Sequence, residues 1–470
     1  MSAGAKKNNA AVRGMKTHGR FRPYPKYKPA GVAWLGHVPE GWDVMRIKYR
    51  TTTNDEVLPE NTDPNYEMEY IDISSVDSAS GIASCTVVTF EDAPSRARRI
   101  VRNNDVIIST VRTYLKAIAA IKEPKPDTIV STGFAVIRPK GIEPKYLAFA
   151  LREPGLINEI VARSVGVSYP AINASEIGCL PIPIPKEDEQ HTIADFLDRE
   201  TARIDALIDK NRRLIERLKE KRSALISRTV TRGLPLEEAR AAGFDPNPKL
   251  KDSGVEWLGP IPKEWRIQPL MHLTDQSRMI MYGIVLPGPD VEDGVLIVKG
   301  GDIKPGNLRP ENLCRTTREI ERNYARSRLK AGDIVFSIRG TVGEAELVPQ
   351  AIEGANLTQD AARVAAREGV DSRWLLYSLK SLAVIDALLS LSLGAAVRGV
   401  NIRDLKRVSI PLPATQNELH AIANYLDRET AKIDALVAKV ETAIDRLKEY
   451  RSAIISAAVT GKIDLRGATK

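Results

Sequence analysis

The chain has 470 residues, and a content of 43% hydrophobic residues is enough for more than one buried core. No apolar run approaches the roughly 18 residues that span a bilayer, and the beginning of the sequence lacks the apolar stretch of a secretory signal. The three cysteines, Cys85, Cys179 and Cys314, form no CxxC pair. We therefore expect neither a disulfide framework nor a zinc site, and place the protein in the reducing cytoplasm.

The formal net charge of +9 arises mainly at the beginning of the sequence. The first 28 residues contain eight lysines and arginines and no acidic residue, whereas the rest is near neutral. We predict that residues 1–23 form a disordered basic tail that touches phosphates without sequence preference. A solubilising leader would have the same composition, so both roles stay open.

A signature of glycine, proline and tryptophan occurs twice. Residues 24–42 and 247–265 each contain the pattern GVxWLGxxPxxW, at an offset of 223 positions. The glycines and prolines predict a fixed turn, and the tryptophans are expected to pack on a domain core. Because longer segments repeat as well, the signature indicates an internal duplication.

Apolar, strand-like runs follow each signature. Residues 104–121 parallel residues 332–348. Each segment is interpreted as an apolar strand, a serine, a loop that carries Arg112 or Arg339, and a second strand.

Short amphipathic helices are predicted near residues 146–151 and 374–379, and proline-rich segments end each sheet region. The pattern predicts mixed α and β domains at residues 24–185 and 247–413, joined through a linker at residues 233–246.

The two copies resemble each other least at residues 77–98 and 304–325. Two similar frames with different surfaces suit the recognition of two different targets. Divergence of unselected loops would give the same pattern, so this alternative stays open.

A long, polar, heptad-like segment ends each half. The first copy spans Ile193 to Thr231 and the second spans Ile422 to Thr460, at an offset of 229. The 3.5-residue spacing, the charged flanks and the absence of internal Gly and Pro predict two long antiparallel coiled-coil helices at residues 186–232 and 414–462. Each would be on the order of 60 Å long, which suits a spacer. Residues 463–470 would form a C-terminal tail.

The predicted seam of this coiled coil contains polar positions. Glu200 and Asn211 would weaken packing, and they either fix the register or leave the seam frayed and solvated. The predicted seam runs through Ile193, Leu197, Glu200, Ile204, Leu207, Asn211, Leu214, Leu218, Lys221 and Leu225, and through Ile422, Leu426, Glu429, Ile433, Leu436, Val440, Ala443, Leu447, Tyr450 and Ile454.

No enzyme motif is found in the sequence. It has no Walker A motif and no glycine-rich nucleotide fingerprint. DPNY at Asp63 to Tyr66 lacks the second proline of an amino-methyltransferase motif and is interpreted as a turn. His191 and His420, at equivalent positions before the long segments, have no adjacent cysteine or carboxylate cluster and are interpreted as structural.

The duplicated signature, the strand and loop DIVFSIRGTVG, the segment NIRDLKRVSIPLP and the helix LDRETAxIDAL together closely resemble the specificity subunit of type I restriction-modification systems. The resemblance extends from Tyr24 to Asp464. The first half departs from the pattern, because the run from Ser109 to Arg112 lacks the glycine that follows Arg339.

The resemblance implies an α+β fold in which two mixed α/β target-recognition domains are separated by two long antiparallel coiled-coil helices, with pseudo-twofold internal duplication. Each domain would read one half of an interrupted site in double-stranded DNA. The chain itself would be non-catalytic and would hold no cofactor or metal. Two modification subunits would methylate adenine with S-adenosylmethionine, and motor-nuclease subunits would use ATP and Mg²⁺.

Loops with Arg, Lys, Tyr, Asn or Gln side chains are the candidates for DNA contact, because these side chains match base edges and phosphates. The base-contact candidates are Arg112, Tyr114, Lys116, Ser168 and Tyr169 in the first domain, and Arg339, Thr341, Gln359 and Arg398 in the second. The phosphate-contact candidates are Arg96, Arg98, Arg99 and Arg102. A solvated surface or an ion pair within the domain is the alternative for each.

Three functions therefore stay open. The first is a DNA-binding specificity subunit that depends on partners. A coiled-coil scaffold without a nucleic-acid role would explain the helices but not the duplicated sheet domains. An enzyme with an unrecognised catalytic site is disfavoured by the missing cofactor and metal motifs.

Overall fold

The computed structural model of the chain describes residues 21–77, 81–391 and 399–467. It divides into two compact units: unit 1 is Met1–Lys210 with Thr442–Lys470, and unit 2 is Asn211–Glu441. Most of the predicted basic tail, at residues 1–20, lies outside the described residues.

Unit 1 is built from short strands in several small sheets. One sheet has the order β11-β10-β13-β4 and another has the order β8-β5-β12-β9, while β1-β2, β3-β14 and β6-β7 form pairs. The strands are β1 (Tyr27–Pro29), β2 (His37–Pro39), β3 (Asp43–Arg46), β4 (Thr51–Thr53), β5 (Glu67–Ile71), β6 (Val76–Asp77), β7 (Gly81–Ile82), β8 (Thr86–Thr89), β9 (Ala97–Ile100), β10 (Val106–Ser109), β11 (Ile118–Ala120), β12 (Thr128–Ser131), β13 (Phe134–Pro139) and β14 (Pro181–Ile184).

Strand β10 is central to unit 1, and all four of its residues are buried. It pairs antiparallel with β11 and β13, so that Ile107 lies opposite both Ala119 and Val136. These residues form a core with Phe134. A strand buried on both faces is a continuous apolar run, as the sequence VIIS predicts.

Unit 2 repeats this arrangement. Strand β21 pairs antiparallel with β22 and β24, and β19 pairs parallel with β23, as β10 and β5 do in unit 1. The strands are β15 (Leu250–Asp252), β16 (Pro260–Pro262), β17 (Arg266–Pro269), β18 (Met281–Tyr282), β19 (Val295–Val298), β20 (Arg315–Thr316), β21 (Ile334–Ser337), β22 (Ala345–Leu347), β23 (Asn356–Leu357), β24 (Ala361–Val364) and β25 (Ser409–Leu412).

Two helices are far longer than the others, and the prediction of a mixed α/β fold with two long helices is confirmed. The helices are α1 (Pro144–Ala150), α2 (Pro154–Arg163), α3 (Ala174–Gly178), α4 (Glu187–Arg232), α5 (Leu236–Ala241), α6 (Arg318–Arg322), α7 (Ser372–Leu379), α8 (Leu382–Ser390), α9 (Ile402–Arg407) and α10 (Gln416–Val459). Of the helices in the described part of the chain, none has the length and apolar character needed to cross a membrane.

The buried positions of α4 differ from the predicted seam. After Leu197 the next buried residues are Thr201, Ile204 and Ile208, whereas Leu207 is 40% exposed. Thr201 tolerates burial because its hydroxyl donates to the carbonyl oxygen of Leu197 at 2.7 Å. Thr201 therefore replaces Glu200 in the seam and Ile208 replaces Leu207, whereas Ile204 keeps its predicted place. The predicted seam is wrong at Glu200 and Leu207.

Similar replacements occur further along α4 and in α10. Ile215 is buried and Leu214 is exposed. In α10, Thr430 and Ile433 are buried, whereas Leu436 is exposed. The repeat between the two helices is thus retained in the structure, with each seam displaced in the same way.

The repeated signature anchors the sheet regions to the first turns of the long helices. Trp42 and Trp265 are both 1% exposed, which confirms their predicted place in the core. The Trp42 indole Nε1–H donates to Glu189 at 3.0 Å, and that of Trp265 donates to Glu418 at 3.0 Å. Each buried indole therefore keeps a hydrogen-bond acceptor.

Candidate nucleic-acid interface

The loop that follows β10 in unit 1 places several side chains in solvent. A 3-10 turn at Thr113–Leu115 is flanked by Arg112 and Lys116, which adopt left-handed conformations with φ of 51° and 52°. Such a conformation costs a non-glycine residue about 1–2 kcal/mol. Here it leaves Arg112, Tyr114, Leu115 and Lys116 exposed.

A second loop, at residues 165–171, lies beside the first. The N–H of Val165 donates to the carbonyl oxygen of Ala171 at 2.9 Å, and the N–H of Ala171 donates back at 3.0 Å. Ala171 also forms a bridge with Val111. The exposed residues of this loop include Ser168 and Tyr169.

The two loops also meet through their side chains. The guanidinium of Arg112 lies 4.8 Å from the centre of the Tyr169 ring, within the range of a cation–π contact. Lys116 Nζ lies 3.5 Å from Asn158 Oδ1. All five base-contact candidates of the first domain, Arg112, Tyr114, Lys116, Ser168 and Tyr169, thus lie on two adjacent loops.

Unit 2 repeats the first of these loops, whereas residues 392–398, which correspond to most of the second loop, lie outside the described residues. Strand β21 ends at Ser337, whose hydroxyl donates to the carbonyl oxygen of Arg339 at 3.1 Å. Arg339 forms a bridge with Gly399, and the N–H of Val400 donates to the carbonyl oxygen of Ile338 at 2.8 Å. The side chains of Arg339 and Thr341 are exposed.

The hydrogen bonds correct the alignment of the two arginines. In unit 1 the Ser109 hydroxyl donates to the carbonyl oxygen of Val111, and Val111 forms the bridge. Val111 is therefore the counterpart of Arg339, and Arg112 is the counterpart of Gly340, which has φ of 75°. The glycine that the first half lacks is thus replaced by an arginine held in the same left-handed conformation.

Of the remaining candidates in the second domain, Gln359 lies beside Arg339. Its side-chain Oε1 accepts a hydrogen bond from Arg339 Nη1 at 3.4 Å, and its backbone N–H donates to the carbonyl oxygen of Ile284 at 2.9 Å. Arg398 lies outside the described residues. The structure therefore brings Arg339 and Gln359 together, with Thr341 two residues from Arg339.

Two of the phosphate-contact candidates form ion pairs within unit 1. Arg96 pairs with Asp72 at 2.9 Å, and Arg102 pairs with Glu56 at 2.6 Å. Hydrogen bonds from Arg102 hold the pKa of Glu56 below its ordinary value. Each of these two arginine side chains is also more than half exposed, so a phosphate contact by either residue stays a prediction.

The other two phosphate-contact candidates differ from each other. The guanidinium of Arg98 lies 4.4 Å from the centre of the Phe90 ring. Arg99 is half-buried, and this burial lowers the pKa of its guanidinium. The Arg99 Nε–H finds no acceptor in the part of the chain that the structure describes.

The equivalent histidines each contact a carboxylate. His191 Nδ1 lies 3.1 Å from Glu143, and His420 Nδ1 lies 2.6 Å from Asp371. In the described ranges, no group of three or more His, Cys, Asp and Glu side chains is arranged to hold a metal ion.

Sequence reasoning missed the apolar residues of the two loops. Leu115 is 45% exposed, Val165 is 80% exposed and Val167 is fully exposed. Their side chains have no hydrogen-bonding groups, so a criterion based on such groups does not select them. The sequence signal that could have found them is the run GVSYP, where a valine lies between turn-forming residues at a loop tip.

A family model described as the type I restriction modification DNA specificity domain matches residues 39–218 and 297–446, which is more than half of the chain. The chain belongs to this family. The resemblance stated from the sequence is thereby confirmed, and both loops of unit 1 fall within the first matched segment.

Two curated members of the type I specificity family show the extent of the similarity. The EcoBI specificity subunit of Escherichia coli is 26% identical over 311 residues, which cover 66% of this chain and 64% of that protein. The putative MjaX specificity subunit of Methanocaldococcus jannaschii is 25% identical over 450 residues, which cover 92% of this chain and 96% of that protein.

A solved structure gives a similar fold. It comes from work on complex assembly and conformational transition of the type I R-M system. The match has a TM-score of 0.62 and 26% identity, and covers 91% of this chain and 99% of that chain.

Proposed function

We propose that this chain is the DNA-binding specificity subunit of a type I restriction-modification complex, in which each unit reads one half of an interrupted site. The observation that carries the proposal is the loop that follows β10 and is repeated after β21. In both copies a serine hydroxyl donates to the carbonyl oxygen two residues further on, and that residue forms a bridge with a later segment, but the exposed side chains differ. A repeated frame with different exposed side chains suits two different half-sites.

The exposed side chains have the chemistry for reading bases. An arginine can bridge the O6 and N7 atoms of guanine, and a glutamine can read adenine. Arg112 in unit 1 and Arg339 in unit 2 take the first role. Gln359 accepts a hydrogen bond from Arg339 through Oε1, which leaves its amide N–H groups for a base edge.

The long helices are the spacer in this proposal. Asp205 on α4 pairs with Arg451 on α10 at 2.9 Å, and Arg222 on α4 pairs with Asp434 on α10 at 2.9 Å. The later residue of α4 pairs with the earlier residue of α10, which is the order of an antiparallel coiled coil. A helix of 46 residues is about 69 Å long. The domains it serves are proposed at residues 24–185 and 247–413.

The chemistry belongs to partner subunits in this proposal, and the chain itself is non-catalytic. Two modification subunits methylate adenine with S-adenosylmethionine, and motor-nuclease subunits use ATP and Mg²⁺ in the cytoplasm. Two copies of the modification subunit are favoured by the duplication, since the Trp42–Glu189 and Trp265–Glu418 contacts show that both units repeat the same local structure.

Mapping N6-methyladenine across the host genome, with and without this gene, tests the proposal. We expect one two-part motif, interrupted by a fixed gap, to lose methylation when the gene is deleted. A chimaera in which a relative's first domain replaces residues 24–185 should change one half of the motif and leave the other half and the gap unchanged. An unchanged map on deletion would contradict the proposal.

A further inference from the structure

The two loops of unit 1, the one that follows β10 and the one at residues 165–171, share a group of exposed apolar side chains. We call this group the apolar crest and define it as Tyr114, Leu115, Val167 and Tyr169. Their exposed fractions are 52%, 45%, 102% and 65%. Val167 is the most exposed large hydrophobic residue in the described part of the chain. Isolated exposed apolar residues are common, but a cluster on neighbouring loops marks an interaction surface.

Val167 lies in a loop that hydrogen bonds close at its base. The reciprocal hydrogen bonds between Val165 and Ala171 close the loop at its base. Gly166 has φ of 120°, and a Cβ at this position would lie 3.1 Å from the carbonyl oxygen of Tyr169, so the tight turn favours glycine. Valine is branched at Cβ and has few rotamers. The loop therefore presents two methyl groups in a nearly fixed place.

The charges beside the crest indicate its partner. Arg112 and Lys116 are exposed and flank Tyr114 and Leu115 in the first loop. Positive charge next to the crest complements the phosphates of DNA. An apolar side chain at the DNA surface then needs an apolar partner, and the C5-methyl of thymine is the one such group on the base edges. Base faces become available only after unstacking, which costs a few kcal/mol per step.

We propose that Val167 packs on the C5-methyl group of a thymine in the half-site read by unit 1, and thereby selects the orientation of one A·T pair. The inference rests on the proposed function and names a base-reading contact within it. The corresponding loop of unit 2 is one residue shorter, because Ile108 pairs with Ile118 across the loop in unit 1 and Phe336 pairs with Ala345 in unit 2. Its apolar residue Val342 is half-buried.

The test replaces each thymine of the half-site with deoxyuridine, which removes only the methyl group. The assembled complex of this chain with its modification subunits is titrated with each duplex at fixed salt. We expect deoxyuridine at one position to weaken binding about fourfold, the factor that burial of one methyl-sized group provides. Val167→Ala should weaken binding to the thymine duplex by a similar factor. The variant complex should bind the thymine and deoxyuridine duplexes with equal affinity. Val87→Ala changes an exposed valine on β8 and is the matched control.

Three results would overturn the inference. If base-pair exchanges in the half-site weaken binding but no deoxyuridine does, the proposed function holds and the methyl contact is wrong. If 2-aminopurine in the half-site becomes fluorescent only when Val167 is present, the valine separates bases instead. If no base-pair exchange in either half-site affects binding, the proposed function itself fails, and the inference fails with it.

Discussion

Arg112 offers a test in which the side chain is removed without disturbing the backbone. It occupies a left-handed position that is filled by Gly340 in unit 2, so Arg112→Gly copies a residue that the same frame already accepts. Glycine relieves about 1 kcal/mol of backbone strain, while it increases the entropy of the unfolded chain by a similar amount. We expect the free energy of unfolding to change by less than about 1 kcal/mol.

The effect on DNA binding should be much larger. An arginine that contacts a guanine contributes about 1–3 kcal/mol, which corresponds to a loss of about 5- to 150-fold in affinity. The cation–π contact with Tyr169 is lost as well, so the ring is less well positioned. The loss should be confined to the half-site read by unit 1, because Arg339 and Gln359 are unchanged.

The assay is equilibrium binding of the assembled complex to the cognate duplex, and to duplexes in which one half-site is scrambled, at several salt concentrations. Arg102→Ala is the control for the loss of one exposed arginine in unit 1 outside the two loops, where Arg102 pairs with Glu56. If Arg102 contacts a phosphate, its replacement should reduce the salt slope by about one without changing sequence preference. Cognate affinity that is unchanged in Arg112→Gly, at every salt concentration, would refute the role of Arg112.

Three further predictions concern the scaffold. Ile208→Ala should lower the free energy of unfolding in urea by about 2–5 kcal/mol, because Ile208 is buried. The control Leu207→Ala, at the exposed neighbouring position, should change it by less than about 1 kcal/mol. Equal effects of the two substitutions would contradict the observed seam. Burial raises the pKa of Asp371, but hydrogen bonds from Arg373 and His420 outweigh it and hold this pKa below its ordinary value. The Asp371 carboxylate therefore stabilises the fold above pH ~4, and this contribution is lost as the pH falls through the pKa of the folded state. The difference in urea midpoint between wild type and Asp371→Asn should shrink from pH 6 to pH 3. A constant difference would contradict this role of Asp371. Deleting seven residues from both α4 and α10 shortens each helix by about 10 Å, which is the length of about three base pairs. The methylated motif should then keep both half-site sequences with a shorter gap between them. Loss of both half-site sequences would show that the helices are more than a spacer.

The sequence was sufficient for the duplication, the mixed α/β class and the two long helices, because these depend on periodicity and on repeated Gly, Pro and Trp positions. The seam was misplaced for a physical reason. The strict alternation of four- and three-residue steps led from Ile204 to Leu207 and not to Ile208. Thr201 was not placed in the seam, because its side chain is polar. Its hydroxyl is satisfied by the carbonyl oxygen of Leu197, which only the helix geometry reveals.

The loops were predicted less completely than the scaffold. A basic residue in a left-handed conformation has no sequence signal, since Arg112 replaces the glycine that would have marked the position. Polar residues such as Ser168 and Tyr169 were predicted as DNA contacts because their side chains can form hydrogen bonds, and this role stays a prediction. Val167 was not found, since a valine is usually buried and its full exposure depends on the turn at Gly166.

Under the proposed function, the displacement between the two arginines lets one frame address two sequences. Arg339 occupies the bridging position, whereas Arg112 occupies the next position along the loop, and the hydrogen bonds that define these positions are the same in both units. Adjacent Cα atoms are about 3.8 Å apart, and adjacent base pairs are about 3.4 Å apart. A shift of an arginine by one loop position is therefore comparable in length to one base-pair step. Under the proposed function, half-site preference diverges by changes in these loops, while the strands and long helices keep the repeat.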